Sequence, residues 1–149
     1  MKIESSFYNG SRVPVLHTAD GKNINPKIII SDIPIEAKSL ILIVDDPDAK
    51  RVVGYTWIHW IVFNIPVHFP VTVIEENSIP GLAGESTYKK KEYGGPNPPR
   101  GSGAHHYHFK IYAISKMLNL PEMSSVDKII KEAEKNILAV TELVGVYDK

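Results

Sequence analysis

Tyr93–Tyr112 runs Tyr-Gly-Gly-Pro-Asn-Pro-Pro-Arg-Gly-Ser-Gly-Ala-His-His-Tyr-His-Phe-Lys-Ile-Tyr, and its two halves call for different backbones. The first is Gly and Pro with almost no apolar side chain. That composition gives an exposed loop, in which Gly permits close approach to a ligand and Pro stiffens the chain. From His105 the pattern becomes a β-strand dense in His and aromatic residues. Side chains alternate across a strand, so His105, Tyr107, Phe109, Ile111 and Ala113 share one side, and His106, His108, Lys110, Tyr112 and Ile114 the other. After Tyr107 the odd side is wholly apolar and is expected to face inward. His105 and Tyr107 then stand at the mouth of the core beside free backbone N–H groups, which suits a small anion.

Working outward, Ser39–Val44 and Thr56–Ile65 are apolar on both faces, as strands buried in the middle of a sheet or sandwich are. The first stops at Asp45-Asp46-Pro47-Asp48 and the second at Pro66, because Pro lacks an N–H and restricts its predecessor. Alternation puts His59 on the side of Trp57, Ile61 and Phe63, where a polar ring needs a hydrogen-bond partner. Residues 3–34 read as short β pieces cut by Asn9-Gly10, Asp20-Gly21 and Asn25-Pro26, with Ile28–Ile30 one brief strand. Val67–Ile74 is expected to be a further short strand and Glu75–Lys91 a long surface loop. Val126, Ile129, Ile130, Ala133, Ile137 and Val140 recur at three- and four-residue steps, which predicts one amphipathic helix, capped by Ser124 with Asp127. Thr141–Tyr147 returns as a last strand. With no repeat and no linker, residues 1–149 are expected to form one mainly β domain.

Composition narrows the function classes. The 149 residues are 43% apolar, enough for a full core. Seventeen basic and seventeen acidic residues leave no net charge, which argues against non-specific nucleic-acid binding. The absence of cysteine excludes disulfides and thiolate metal sites and is compatible with a reducing interior. The opening residues carry no apolar leader and no apolar run reaches bilayer length, so a cytoplasmic protein is expected.

Three motifs carry a resemblance. Asp46-Pro47-Asp48-Ala49, then Trp57-x-His59, then Gly-Pro-Asn-Pro-Pro-Arg-Gly-Ser-Gly-Ala-His-His-Tyr at 95–107 resemble the phosphatidylethanolamine-binding protein family, in particular its short bacterial and archaeal branch. Gly21–Pro26, Ala37–Leu40 and Glu142–Tyr147 also match that branch. The resemblance implies a Greek-key β-sandwich with a few peripheral helices and a small-anion pocket at one end of the strands. Carried over residue by residue, the pocket is Asp46, His59, Gly95, Pro98, His105 and Tyr107, with Trp57 as a wall. The implied ligand is a small phosphorylated or zwitterionic anion of the phosphoethanolamine type, with no cofactor and no catalysis. A protein partner is also implied, since eukaryotic relatives regulate kinases and proteases, and a homodimer by analogy with the bacterial branch. Two positions depart from the family pattern: Lys50 stands where Asp-Pro-Asp-Ala-Pro has its last Pro, and His106 where His-Arg-Tyr has Arg.

The chemistry of such a site follows from its donors. A phosphate monoester wants the Tyr107 hydroxyl, an imidazole N–H from His105 or His59, and loop amides near Gly95. Asp46 would repel it unless its carboxylate accepts from a site histidine or meets a cationic ligand end. A metal enzyme is the rival: His106 and His108 are two apart on one strand face, a spacing used in β metal sites, with Lys110 opposing a cation there. Hydrolysis without metal has neither a Gly-x-Ser-x-Gly elbow nor a Ser-His-Asp set of defensible spacing.

Overall fold

The structure, a computed structural model, describes residues 1–149. Its eight strands are β1 (Lys2–Ser5), β2 (Ile28–Ser31), β3 (Ser39–Asp46), β4 (Trp57–Ile65), β5 (Val71–Ile74), β6 (Leu82–Ala83), β7 (His105–Ile114) and β8 (Ile137–Tyr147). Two short helices, α1 (Lys50–Val53) and α2 (Val126–Ala133), accompany them. The strands form two antiparallel sheets, β1-β2-β5 and β6-β4-β3-β7-β8, and the chain passes repeatedly from one sheet to the other. This is the mainly β, Greek-key sandwich implied by the resemblance.

The double-sided apolar pattern of β3 and β4 has a direct explanation. On one face Leu40, Leu42, Val44, Trp60 and Val62 join Phe109, Ile111, Ile28 and Ile30 in the core between the sheets. On the other, Ile41, Ile43, Ile61 and Phe63 meet Ile114, Leu118, Ile129 and Ala133, so α2 and the segment before it cover the outer face of the large sheet. In β7 the residues from His105 to Ala113 on the odd side are buried, and on the even side His106, His108, Lys110 and Tyr112 are exposed or partly exposed, as alternation requires, while Ile114 is buried under α2.

Four expectations change. Alternation fails at His59, because β4 carries one extra residue against β3: Val44 pairs with Trp60, whereas Asp45 pairs with Ile58. A bulge of this kind re-aims a side chain. His59 therefore turns to Tyr107, ring centroids 5.2 Å apart, while Ile61 and Phe63 stay on the α2 side. The helix ends at Ala133; Ile137 and Val140 belong to β8, which pairs with β7 from Ile137 to Tyr147. Their spacing matched a helix by coincidence, and their β-branched side chains suit the strand. The cap is Ser125, whose hydroxyl accepts the Lys128 N–H, while Ser124 donates to the Pro121 carbonyl. Finally, Val67–Pro70 stays outside β5, and the 75–91 stretch contributes β6, paired to the edge of β4 at Val62 and Phe63.

Candidate functional site

One end of the large sheet is shaped by how its strands stop. β3 ends at Asp46, whose side chain accepts the Ala49 N–H at 3.2 Å and so caps the single 3-10 turn Pro47–Ala49 that leads into α1. The bulge brings in His59, alternation brings in His105 and Tyr107, and the Gly/Pro loop closes the side. Between them lies a cavity of about 210 Å³. Its polar lining is Asp46, Trp57, His59, Tyr88, Asn97, His105 and Tyr107; Pro98, Pro99, Ala49, Val52 and Val53 complete the wall.

His105 and Asp46 are both buried and share a hydrogen bond, Nδ1 to Oδ2 at 2.7 Å. The other ring nitrogen, Nε2, meets Ser102 Oγ at 3.0 Å, and the Ser102 hydroxyl donates to the Pro99 carbonyl at 2.7 Å. Both ring nitrogens of His105 are thus engaged, Nδ1 with Asp46 and Nε2 with Ser102. This leaves His105 no free ring nitrogen for a ligand.

His59 has its Nδ1 2.6 Å from the Gly94 carbonyl. A carbonyl only accepts, so Nδ1 carries the proton. Nε2 has no hydrogen bond within the chain. Burial holds the ring below its usual 6.5, against the opposing pull of the Gly94 carbonyl and the Asp46 carboxylate. The Tyr107 hydroxyl and the Trp57 indole N–H are buried without any hydrogen-bond partner. Burial, with Asp46 nearby, pushes the Tyr107 hydroxyl far above its usual range, so it remains a donor. Trp57 stacks on Tyr55 (6.0 Å, 16°) and meets Tyr88 edge-on (5.4 Å, 71°).

Of the expected site residues, Asp46, His59, Pro98, His105 and Tyr107 come together, with Trp57 as a wall. Gly95 does not line the cavity. Its amide donates to Asn23 Oδ1 at 2.7 Å, and a Cβ there would lie 2.1 Å from the His17 carbonyl oxygen. It is a packing glycine whose N–H is already spent. Tyr88, Asn97, Val52 and Val53 were missed: Tyr88 sits in a polar stretch with no periodic signal, and it reaches the cavity because Thr87 pairs with Ile58 through its amide and hydroxyl at 2.9 and 2.8 Å.

The metal reading finds no support in the geometry. His106 pairs with Asp48 at 2.7 Å and His108 with Glu142 at 3.1 Å. No group of three His, Cys, Asp or Glu residues is placed to hold a metal. Through its Asp48 contact, His106 ties the strand to the turn below the cavity. Partial burial works against the Asp48 charge, but side-chain and backbone N–H groups of His106 hold its carboxyl below 3.8. Lys50 is exposed at the start of α1. The structure does assemble a Ser–His–Asp chain that spacing could not suggest, Ser102–His105–Asp46. Its serine proton points to Pro99 and Ser102 lies outside the cavity lining, so the chain positions a ring.

A family model described as phosphatidylethanolamine-binding protein matches residues 3–148. The chain belongs to the phosphatidylethanolamine-binding protein family. A UPF0098 protein of Pyrococcus horikoshii is 40% identical, over 100% of this chain and 77% of its own, and it places the chain in the bacterial and archaeal branch. The phosphatidylethanolamine-binding protein homologue of Chlamydia trachomatis superposes with a TM-score of 0.90 at 33% identity, covering 99% and 96% of the two chains. YbcL of Escherichia coli, described as a member of the mammalian family, gives 0.88 at 26% identity, covering 99% and 98%. No helix of the chain is long and apolar enough to cross a membrane.

Proposed function

We propose that this family member binds, without chemical conversion, a small phosphorylated anion whose oxygens enter the cavity between His59 and Tyr107. The observation that carries the reading is the Tyr107 hydroxyl, buried and unpartnered on a side chain that lines the cavity, as is the indole N–H of Trp57. A buried donor without an acceptor is costly and rare, and a ligand oxygen supplies what the chain does not. Val52, Val53 and Tyr55 are exposed at the cavity mouth and suit the substituent of a phosphate ester. An ammonium group of the phosphoethanolamine type would meet the faces of Trp57 and Tyr55, since both Asp46 oxygens are engaged. The same rim is where a protein partner or a second copy would sense an occupied cavity, and the cysteine-free composition fits a cytoplasmic setting.

Calorimetric titration with phosphoethanolamine at about pH 6, where much of the phosphate monoester still carries a proton, tests the reading. The wild type should bind, and Tyr107→Phe should weaken binding by about 1–2 kcal/mol while its melting temperature holds or rises. Binding that is absent, or equal in the two proteins, sinks the proposal.

A further inference from the structure

We infer that His59 makes the cavity selective for oxyanions that carry a proton, so that it accepts phosphate and rejects sulfate at neutral pH. The inference rests on the anion-binding reading above and specifies its ligand. It starts from a tautomer that the structure leaves no freedom over. The Gly94 carbonyl, 2.6 Å from Nδ1, can only accept, so the neutral ring presents Nε2 as a bare lone pair. That nitrogen has no partner in the chain, and its ring lines the cavity.

A lone pair repels a ligand oxygen unless one proton lies between them. That proton comes with the ligand or is taken from solvent. Singly protonated phosphate brings it: its O–H donates to Nε2, and its other oxygens accept from Tyr107 Oη and Trp57 Nε1. Sulfate has no proton to offer near neutrality, so the ring must acquire one, and burial opposes that. The other charged or titratable groups around the ring offer little help. Tyr88 and Tyr107 lie against it edge-on. Asp46 is committed to His105, and Asp45, with one oxygen on Lys110 at 3.0 Å, is the remaining carboxylate acting on it. No Lys or Arg lines the cavity, so general attraction for anions cannot mask the difference.

The test is titration of the intact chain with inorganic phosphate and with sulfate at matched ionic strength from pH 6 to 8. Each titration is run in two buffers of different ionisation enthalpy, to count protons taken up. At pH 7 phosphate should bind at least about tenfold more tightly than sulfate. Sulfate affinity should fall about tenfold per pH unit above 6.5, with close to one proton taken up per anion. In His59→Gln, whose amide supplies a donor, the preference should shrink to within about threefold. His59→Asn serves as a second variant, and thermal melts verify that both are folded. Sulfate binding as tightly as phosphate at pH 7, sulfate binding without proton uptake, or a folded variant that keeps the tenfold gap would each overturn the inference. If neither anion binds the wild type, the anion-binding reading fails and takes this inference with it; if both bind alike, only the inference fails.

Discussion

Tyr107 and Gly95 show how differently two residues of one motif can serve a site. Tyr107 ends in a hydroxyl that folding leaves unsatisfied, so removing it should leave the fold sound and harm only what binds. Gly95 is the reverse case. Its missing side chain lets the loop pass against His17, and its amide is held by Asn23. Gly95→Ala should therefore destabilise the protein by roughly 1–3 kcal/mol, an overpacking cost, read as a lower urea midpoint at unchanged slope. A variant as stable as wild type would return Gly95 to a ligand-facing role. The sequence placed Tyr107 and His105 correctly, because strand alternation is a local rule that the backbone obeys there. It misplaced His59, because a bulge depends on the register with β3, which no spacing within β4 reveals.

The elements divide into those that shape the cavity and those that cover the sheet behind it. α2 is the cover. Its Ile129 and Ala133 are fully buried against Ile41, Ile43, Ile61 and Phe63, whereas its cap, Ser125, lies near the surface. Ile129→Ala should cost roughly 2–5 kcal/mol, and Ser125→Ala only about 1 kcal/mol, both measured by chemical denaturation. Equal losses would mean that α2 is held by its own caps and not by the sheet. The apolar runs of β3 and β4 were legible as buried on both sides, and the helix explains why. Its far end was not legible. Ile137 and Val140 fall on the helical stripe, yet β7 offers them a partner strand along its whole length.

Across the whole molecule, buried titratable groups bound the pH range of stability. Burial lowers His59 in the folded state relative to its usual 6.5, so below that pH the unfolded chain takes up a proton that the folded chain refuses. Stability then falls as the pH drops through and below about 6.5. Asp48, held below 3.8 by His106, loses its contribution further into acid. Tyr93 and Tyr107 are raised by burial above 10.0, so ionisation in the unfolded chain should erode stability above about pH 10. A plateau between these limits is expected in thermal melts against pH, with the acid shoulder flattened in His59→Gln. An acid shoulder unchanged by that substitution would assign it elsewhere.

The most direct measurement is a crystal structure grown or soaked in phosphate. The account predicts a tetrahedral anion in the cavity with oxygens about 2.7 Å from Tyr107 Oη and within hydrogen-bond reach of His59 Nε2. A cavity filled only by side chains, or an anion bound elsewhere with Tyr107 still unpartnered, would contradict it.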